Sequence, residues 1–326
     1  MKVTIKEIAS ICGLSIGTVD RALHGRKGIN PESREKILSV AHELGYRPHL
    51  PARSLVTGST MSIGVVVPDL KNPYFSETVE VIQRKARAAD YHVYMMLSEF
   101  DPQEEMESLD RLRALNVDGV IILPVNRGRS FQTFLKSLST PIVTIANKVS
   151  KQWAWVGIDD RGAVRDAVRL VISRGYSRIY FVTLGKDQSI GSFYSDEERI
   201  KGYRDALAEA GESYVPEHLT DADLIGMIEQ GTAPEPGSCI VCSCDAVALD
   251  VMIVLKRKGV AIPGHVGLMG FDNLEELKYI TPRLTTVASP IRQIGEAAFD
   301  SLMAVIRGDP MESRTFPHTI IEGETL

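Results

Sequence analysis

Short apolar runs alternate with longer amphipathic stretches from residue 61 onward, and this alternation restricts the fold more than any other feature of the sequence. The runs that read as strands cover 62–68, 92–97, 119–124, 141–146, 155–159, 178–183, 239–244, 265–272 and 284–288. Strands that are apolar along their whole length and separated by helices form parallel sheets with helices on both faces. Because the runs fall into two sets, the sequence predicts an α/β body of two doubly wound parallel-sheet lobes with a cleft between them.

The length and composition are those of a globular protein with more than one domain. The chain has 326 residues, of which 44% are hydrophobic and 24% are charged, which is enough for two or three domains. No apolar run reaches the length of a transmembrane helix, and the N-terminus lacks the apolar region of a signal peptide. We therefore expect a cytoplasmic protein with no membrane partner.

The N-terminal segment contains signals for three short helices. Thr4 and Glu7 have the spacing of a capping box, Gly13 ends the first helix, and Ser15 begins the second. After a loop, an Asn-Pro pair at 30–31 begins a third helix. Because helices this short are marginal alone, they must share one core. The glycine-containing turn between the first two predicts a helix-turn-helix.

The second helix carries side chains suited to nucleic acid near or on its exposed face. These residues are Ser15, Ile16, Gly17, Thr18 and Arg21. Hydroxyls at a helix N-terminus suit phosphate oxygens, and the arginine fork suits the O6 and N7 atoms of guanine. Residues 1–60 carry nine Lys and Arg against five Asp and Glu, whereas the remainder of the chain is acidic. The alternative is a plain three-helix bundle whose arginine is solvated.

The same segment resembles the head of the lactose-repressor (LacI/GalR) family of transcription regulators. The resemblance is dense over residues 3–58, in the runs Thr-Ile-Lys-Glu-Ile-Ala, Gly-Leu-Ser-Ile-Gly-Thr-Val-Asp-Arg-Ala-Leu, Glu-Leu-Gly-Tyr-Arg-Pro and Ala-Arg-Ser-Leu. The rest of the chain fits the family as well. The resemblance implies base-reading roles for Ile16, Gly17 and Arg21, and phosphate contacts for Thr4, Ser15 and Thr18.

Two residues of this helix depart from the family pattern. Gly17 has no side chain with which to read a base, so specificity there would rest on close approach or on DNA shape. Asp20 occupies a position where serine is common, and a phosphate repels its carboxylate. Asp20 would then either accept a hydrogen bond from cytosine N4 or pair with His24 four residues on, and the sequence leaves both possibilities open.

Residues 47–60 link the head, 1–46, to the body. Two prolines precede a helix-compatible piece at 52–56, which is too short to be helical in water. The linker is either a flexible tether or, as the resemblance implies, a hinge helix that forms when two copies meet over the minor groove. In the second case Leu55 wedges between base steps and Arg53 contacts phosphates, which requires a homodimer.

For the body, 61–326, the resemblance implies the type I periplasmic-binding-protein fold. We expect the first lobe at about 61–158 and 290–317, and the second lobe at about 159–289 and 318–326. Ligands of parallel sheets bind at the carboxyl ends of the strands. The candidate ligand-binding residues are therefore sought just after strands.

Eight residues are candidates for binding an effector. They are Asn72, Tyr74, Phe75, Asn147, Arg199, Cys244, Asp272 and Ser289. By resemblance, Arg199 matches the family's effector-binding arginine and Asp272 the carboxylate that accepts sugar hydroxyls. The alternatives are a turn for Asn72, core positions for the aromatic rings, a surface salt bridge for Arg199 and a helix cap for Asp272. Together these groups suit a neutral polyhydroxylated ligand.

Three positions in this set depart from the family pattern. Cys244, Ala146 and Ser289 stand where an asparagine, an aspartate and a glutamine are common. The loss of three polar groups implies an effector with fewer recognised hydroxyls, or a larger and less polar one. It also leaves open a sugar acid or a phosphate bound through Arg199.

The sequence lacks the motifs that would indicate an enzyme or a metal-binding protein. Cys239 and Cys242 form a C-x-x-C, but no second Cys/His pair at zinc spacing accompanies it, and a buried strand with small thiols is the alternative. The sequence has no P-loop, no G-x-S-x-G, no H-E-x-x-H and no G-x-G-x-x-G after a strand. The carboxylate pairs at 159–160 and 221/223 read as caps and loop residues. We expect no enzyme activity, no metal and no cofactor.

The sequence therefore predicts a DNA-binding transcription regulator with two partners. It would bind a pseudo-palindromic double-stranded DNA operator as a homodimer, and a small sugar-like effector would release or tune it. A repressor is the family's commoner role, and an activator is the alternative. Because the last residues, Thr-Ile-Ile-Glu-Gly-Glu-Thr-Leu, carry no heptad pattern, we expect a dimer rather than a tail-tethered tetramer.

Overall fold

The chain folds into two compact units: Met1–Thr60, which contains the head and the linker, and Met61–Leu326, the body. The computed structural model describes residues 3–23, 25, 27–46, 58–185, 193–211 and 213–326.

In the described part of the head, three helices follow one another: α1 (Ile5–Cys12), α2 (Ile16–Leu23) and α3 (Pro31–Glu43). Thr4 and Glu7 form the predicted capping box: the Thr4 hydroxyl accepts from the Glu7 amide, and the Glu7 carboxylate accepts from the Thr4 amide at 2.7 Å. Two of the four amides that α1 leaves unpaired at its start are thereby satisfied.

The ends of these helices also follow their local signals. Gly13 ends α1 with a φ of 67°, a left-handed conformation that glycine adopts without a Cβ clash. The Asn30 side chain accepts from the Glu32 amide and caps α3. The buried residues that join the three helices are Ile8, Ala9, Cys12, Val19, Ala22, Ile37 and Ala41. The shared core of the predicted helix-turn-helix is confirmed.

One half of the body, the first lobe, is built on a parallel sheet. Its described strands are β1 (Ser62–Val67), β2 (His92–Leu97), β3 (Gly119–Ile122), β4 (Ile142–Ile145), β5 (Ala154–Ile158) and β11 (Arg314–Phe316). They are arranged in the order β11-β5-β4-β3-β1-β2, and every pairing is parallel. The helices between them are α4 (Pro73–Ala88), α5 (Pro102–Ala114) and α6 (Gly128–Ser137).

The other half, the second lobe, repeats this plan. Its described strands are β6 (Arg178–Thr183), β7 (Glu217–Thr220), β8 (Ser238–Cys242), β9 (Val266–Asp272), β10 (Thr285–Ala288) and β12 (Thr319–Ile321). They are arranged in the order β12-β10-β9-β8-β6-β7, and only the β10–β12 pair among them is antiparallel. The helices are α7 (Asp160–Ser173), α8 (Tyr194–Ala210), α9 (Asp221–Glu229) and α10 (Asp245–Arg257), with a 3-10 turn at Glu275–Tyr279.

The chain returns to the first lobe after β10. Helix α11 (Ile291–Ile306) packs against α4 and against β3, β4 and β5. Strand β11 then joins the first sheet, and β12 joins the second. The sequence reading missed β7, β11 and β12, because these strands have three or four residues, are partly exposed and lie at sheet edges.

The strands that were predicted from apolar runs are mostly buried on both faces. Every residue of β1, β3, β4, β5, β8 and β9 is buried, as parallel sheets covered by helices require. Cys239 and Cys242 are buried thiols of β8 and form no disulfide. Across the described ranges, no cluster of His, Cys, Asp and Glu has the composition to hold a metal ion. Among the helices of those same ranges, none combines the length and apolar character needed to cross a bilayer.

Candidate functional site

A cavity of about 90 Å³ lies between the two lobes of the body. Its walls come from turns that follow β1 to β4 in the first lobe and β6, β8 and β9 in the second, together with the first half of α8. This is the edge of a parallel sheet at which ligands bind. Because one water needs roughly 10–15 Å³, the cavity suits a compact ligand. Of the eight predicted effector residues, those that line it are Asn72, Tyr74, Phe75, Asn147, Arg199, Cys244 and Asp272.

Arg199 projects from α8 and is held by two acceptors. Its Nε atom donates to Oδ1 of Asp160 at 2.8 Å, and its Nη1 atom donates to the carbonyl of Ser243. The guanidinium also lies over the ring of Phe271, 3.7 Å from the centroid. The Arg199 side chain is 13% exposed and that of Asp160 is 4% exposed. The pair is therefore a buried ion pair and not the surface salt bridge that the sequence allowed.

Asp160 was read from the sequence as a cap or loop residue, and that reading is wrong. Asp159 is the cap, because its carboxylate accepts from the Gly162 amide at 3.0 Å, whereas Asp160 faces α8, which packs beside α7. Burial raises the pKa of Asp160, and Arg199 acts to lower it. Burial would lower the pKa of Arg199, but Asp160 and Asp272 outweigh that effect and hold the pKa above its usual value.

Asp272 ends β9 and faces the cavity with only 4% of its surface exposed. Among the described residues, its carboxylate receives no hydrogen bond and forms no ion pair. Burial raises the pKa of Asp272 well above its ordinary value, and Arg199 opposes this shift. The alternative role of helix cap is not what the structure shows, since Leu274 occupies the N-cap of the following 3-10 turn.

Asp245 supports this end of the second sheet. Its Oδ2 atom accepts from the Leu274 amide at 2.9 Å, and its Oδ1 atom accepts from the Thr286 hydroxyl at 2.6 Å. A Cβ atom at Gly270 would lie 2.1 Å from Oδ1 of Asp245, so only glycine leaves room for this carboxylate. Burial raises the pKa of Asp245 to about 6. The contacts fix the chain just after Asp272 and link it to the neighbouring strand β10.

Aromatic rings form a row across the cleft. The ring centroids of Tyr74 and Phe75 are 5.8 Å apart, those of Phe75 and Phe100 are 6.2 Å apart, and those of Phe100 and Phe193 are 5.9 Å apart. Phe100 belongs to the first lobe and Phe193 to the second. Such rings can cover the C–H faces of a ligand and exclude water.

Ser289 is the one predicted effector residue outside the cavity lining. Its hydroxyl lies near the phenol of Tyr74 and acts to lower the pKa of that phenol. Burial raises the pKa of Tyr74, and the carboxylates of Asp272 and Asp160 raise it further. Tyr74 is therefore a neutral hydroxyl at physiological pH.

The side chains of both predicted asparagines form hydrogen bonds with backbone groups. The Oδ1 atom of Asn72 accepts from the Tyr74 amide at 3.0 Å and caps α4. The Nδ2 atom of Asn147 donates to the Pro124 carbonyl at 2.9 Å, and its Oδ1 atom accepts from the Ser195 amide at 3.0 Å. Asn147 therefore ties the first lobe to the start of α8 in the second lobe.

Two further contacts join the lobes beside Asn147. Arg127 of the first lobe forms a salt bridge with Glu197 of α8 at 2.7 Å. The Nζ atom of Lys148 lies 3.8 Å from the ring centroid of Trp155 and 5.5 Å from that of Tyr194. Together with the aromatic row, these contacts join the two lobes beside the cavity.

Three residues that line the cavity have backbone conformations unusual for side chains with a Cβ. The φ angles are 57° for Ala146, 61° for Phe100 and 117° for Asp272. Each such residue costs about 1–3 kcal/mol and persists only where its surroundings hold it. The Ala146 carbonyl, for example, accepts from Nε1 of Trp155 at 2.8 Å. Strain of this kind is typical of functional sites.

Sequence reasoning missed several lining residues. Phe100 follows β2, so the rule that ligands bind after strands could have found it. Phe193 and Asp196 lie at the start of α8, and no local signal indicates that a helix start faces the cleft.

On the head, α2 presents its predicted polar face to solvent. The hydroxyls of Ser15 and Thr18 are 2.8 Å apart, and the Thr18 amide donates to the Ser15 hydroxyl at 3.1 Å. The Nε atom of Arg21 donates to the Gly17 carbonyl at 3.1 Å. Ile16 is 49% exposed although it is a large apolar residue. The polar groups of this face form hydrogen bonds with one another and remain accessible to solvent.

Four further residues were predicted to contact DNA, and the structure describes one of them. Thr4 is exposed, and its hydroxyl donates to the Glu7 carboxylate at 3.1 Å. His24, Arg53 and Leu55 lie outside the described residues.

Family comparisons match both units of the chain. Residues 60–322 match the family described as periplasmic binding proteins and sugar binding domain of LacI family. Residues 4–49 match the family described as bacterial regulatory proteins, lacI family.

Curated relatives resemble the chain over nearly its whole length. It is 29% identical over 329 residues to catabolite control protein A of Priestia megaterium, covering 98% of each protein. It is 26% identical over 318 residues to the HTH-type transcriptional repressor CytR of Escherichia coli K12, covering 95% of this chain and 92% of the relative.

Solved structures share the fold. The crystal structure of the Lac repressor dimer bound to operator and the anti-inducer ONPF matches with a TM-score of 0.87 at 20% identity, covering 100% of this chain and 99% of that one. The predicted fold class, a helix-turn-helix head with two doubly wound lobes, is confirmed. Since a family match covers most of the body and a second covers the head, the chain belongs to the lacI family of bacterial regulatory proteins.

Proposed function

We propose that this protein is a DNA-binding transcriptional repressor. It binds a pseudo-palindromic operator as a homodimer and responds to a small polyhydroxylated effector in the cleft. The observation that carries the proposal is the exposed face of α2, with Ser15, Thr18 and Arg21, on a chain whose body encloses a ligand-sized cavity.

The α2 face has the chemistry of a recognition helix in the major groove. Arg21 makes one exposed contact with the Gly17 carbonyl, which DNA can replace, and its fork then contacts guanine. The hydroxyls of Ser15 and Thr18 lie at the start of α2, where they suit phosphate oxygens. The exposed side chain of Ile16 suits a thymine methyl group.

Exposed apolar side chains on the body support a homodimer. On β2, an edge strand, Tyr94, Met95 and Leu97 are 43%, 42% and 37% exposed. In the second lobe, Ile253 and Tyr279 are 48% and 78% exposed. Large apolar groups in such positions are typical of protein interfaces, and a two-fold pair of heads matches the symmetry of a palindrome.

We propose four parts for the chain: a head, a hinge and two lobes. The head is 1–46 and the hinge is 47–60, with Leu55 in the minor groove and Arg53 at phosphates, a role that rests on the sequence alone. The lobes are 61–158 with 290–317, and 159–289 with 318–326. The crossing of α11 and the separate sheets of β11 and β12 support the division of the body.

The cavity supports a small ligand that forms hydrogen bonds and has an apolar face. Asp272 is a buried acceptor, Tyr74 is a neutral hydroxyl, and the aromatic row covers one side. Such a mixture of convergent polar groups and rings is characteristic of sites for polyhydroxylated ligands.

Coupling between the effector and DNA follows from the contacts that close the cleft. A ligand that touches both lobes favours the closed arrangement held by Asn147–Ser195 and Arg127–Glu197, because it binds that arrangement more tightly. Linkage then requires reciprocity: the effector changes operator affinity by the same factor by which the operator changes effector affinity.

We further propose that the protein acts in the cytoplasm and catalyses no reaction. The relatives named above are regulators. Burial raises the pKa of Cys244, the thiol that lines the cavity, to about 12, and a thiol rather than a thiolate is a poor nucleophile.

The experiment that tests this function selects binding sites for the full-length protein from random DNA. We expect an inverted repeat. Arg21→Ala should lower affinity for that repeat by at least roughly thirtyfold, since a bidentate contact is worth about 1–3 kcal/mol at each of two half-sites. Affinity for random DNA should change far less, as measured by fluorescence anisotropy at fixed salt.

Arg21→Lys is the matched control, because it keeps the charge and removes only the planar fork. We expect it to retain binding to random DNA and the salt dependence, while it loses most of the preference for the operator. Failure to enrich any sequence, or equal losses on both DNAs for Arg21→Ala, would contradict the proposed function.

A further inference from the structure

We propose that Glu105 is a positioning residue for the contact between the two lobes. Its carboxylate holds the loop of residues 123–127, called the β3–α6 loop, in the shape that lets this loop contact α8 of the second lobe. Glu105 does not line the cavity, so it acts through that loop. The inference rests on the proposed function in one respect: the contact belongs to the arrangement through which effector and DNA are coupled.

The β3–α6 loop contributes to two contacts between the lobes. The Pro124 carbonyl accepts from Nδ2 of Asn147, whose Oδ1 atom accepts from the Ser195 amide in the second lobe. Arg127, the last residue of the loop, pairs with Glu197 of α8 at 2.7 Å. Both contacts therefore depend on where the backbone of the loop lies.

Glu105 lies on α5 and fixes the loop backbone between those two contacts. Its Oε1 atom accepts from the Val125 amide at 2.7 Å, and its Oε2 atom accepts from the Asn126 amide at 2.9 Å. The Nδ2 atom of Asn126 also donates to the Pro102 carbonyl at the start of α5, at 2.6 Å. Because hydrogen bonds to a carboxylate are strong and Glu105 is fully buried, the loop backbone has little freedom here.

The salt bridge to α8 needs this support because it is exposed. The side chains of Arg127 and Glu197 are 47% and 34% exposed, and such a pair contributes little when two side chains must be ordered to form it. Arg127 directly follows Asn126, so the bonds to Glu105 fix the point from which the arginine extends. Part of the ordering cost is thereby met before the two lobes touch.

The Ser195 amide distinguishes this role from a purely local one. Ser195 is the second residue of α8, and amides in the first turn of a helix have no acceptor within the helix. Asn147 of the first lobe accepts from this amide instead. Its exchange with solvent therefore reports the contact between the lobes, whereas the amides of Val125 and Asn126 report the loop alone.

The test is Glu105→Gln in the full-length protein, with amide hydrogen exchange measured by NMR at pH 8. Burial raises the pKa of Glu105 to about 7, so the carboxylate is mostly ionised at that pH, and glutamine removes its charge and one acceptor. We expect exchange to accelerate by roughly tenfold at Val125 and Asn126 and by at least roughly fivefold at Ser195. Glu105→Ala removes both acceptors and should accelerate the same amides further.

Glu107→Gln is the matched control. It makes the same change in charge on the same helix, at a side chain that is 44% exposed, and should leave these amides unchanged. The Gly162 amide is an internal control, because it starts α7 of the second lobe and is bound by Asp159 of that same lobe. Equal acceleration at Gly162 and Ser195 would assign the effect to general stability and overturn the inference.

Arg127→Met tests the route from Glu105 to the second lobe. In the parent protein it should accelerate exchange at Ser195, because α8 loses its partner in the loop. In Glu105→Gln its further effect should be smaller, since the two substitutions weaken one shared contact. Independent effects that simply multiply would show that Glu105 does not act through the loop.

Unchanged exchange at Ser195 in both Glu105→Gln and Glu105→Ala overturns the inference, whether or not the amides of the loop accelerate. Selection of operator DNA by the parent protein separates the two proposals. Failure to enrich an inverted repeat counts against the proposed function and leaves the exchange result standing, whereas unchanged exchange at Ser195 leaves the regulator intact.

Discussion

The head and the cleft both present polar side chains, but they hold them in opposite ways. On α2, Ser15 contacts Thr18 and Arg21 contacts Gly17, partners that are three or four residues apart and open to solvent. In the cleft, Arg199 contacts Asp160 across 39 residues of sequence and is almost fully buried.

This difference separates two kinds of site. A surface that must exchange its own contacts for those of DNA keeps weak, exposed and local ones, which cost little to break. A site that must distinguish small molecules holds its groups rigidly before the ligand arrives, and it does so through buried contacts between distant elements. Loss of a cleft contact should therefore affect stability strongly, and loss of a head contact only mildly.

The largest effect is expected from Arg199→Leu. The substitution leaves Asp160 buried without its partner, and breaking a buried ion pair in this way costs about 3–5 kcal/mol. In a domain of this size the Tm of the body should fall by roughly 10 °C, as measured by calorimetry. Addition of Asp160→Asn should restore part of the loss, since the unpaired charge is then gone.

The control for Arg199→Leu is Arg161→Leu. Arg161 also joins α7 to α8, through a two-pronged pair with Asp205, but the two side chains are 48% and 31% exposed. We expect little change in Tm. Equal losses in the two variants would remove the distinction between buried and exposed contacts.

The second largest effect is expected in the pH dependence of stability, through a buried glutamate of the first lobe. Glu105 is fully buried and accepts from the amides of Val125 and Asn126 at 2.7 and 2.9 Å. Burial raises its pKa from 4.5 to about 7. The native state therefore binds this proton more tightly, and the resulting stability, present below pH 4.5, is lost as the pH rises through 7. The full difference is roughly 3 kcal/mol.

Glu105→Gln should flatten the dependence of Tm on pH between 5 and 7.5. Glu107→Gln, an exposed change on the same helix, should leave the dependence as in the parent protein. Asp245 has the same sign of shift and contributes equally to all three proteins. Parallel curves for Glu105→Gln and the parent would show that Glu105 does not titrate in this range.

A smaller effect, on operator binding, is expected from a substitution in the proposed hinge, residues 47–60. Leu55→Ala removes the proposed wedge and should weaken operator binding by roughly tenfold, because the bend in the duplex is no longer supported. Binding to random DNA should be nearly unchanged. Gel-shift titrations on both DNAs measure the difference, and an equal loss on the two would count against the hinge.

The smallest effect is expected at the capping box of the head. Thr4→Ala removes the acceptor of the Glu7 amide, and loss of such a cap costs about 1 kcal/mol. Amide hydrogen exchange in α1 should accelerate by roughly fivefold. Thr4→Ser keeps the hydroxyl and should restore the slow exchange, whereas a failure of Thr4→Ser to do so would assign the effect to packing.

The head could be predicted almost completely, because its signals are local. The Thr4–Glu7 box and the Asn30 cap lie within three residues of their partners, and Gly13 needs only its own backbone freedom. The long apolar strands could also be predicted, whereas β7, β11 and β12 could not, since their few residues become strands only when a sheet edge is present to pair with them.

The cleft could be predicted only in part. Seven of the eight candidate residues line the cavity, but their roles in effector binding remain predictions. Asp160 was read as a cap or loop residue, because nothing near it in sequence indicates an arginine 39 residues away. Ser289 lies outside the lining, and its role in effector binding also stays a prediction.

By itself, the sequence determined the elements, the class of fold and the family, since capping, periodicity and strand composition are properties of neighbouring residues. Only the tertiary structure decided which carboxylate pairs with Arg199. Asp160 begins α7 and Asp272 ends β9, and α8 brings Arg199 into contact with Asp160. The pairing of charges in the cleft is a property of that packing and is not encoded at any one position.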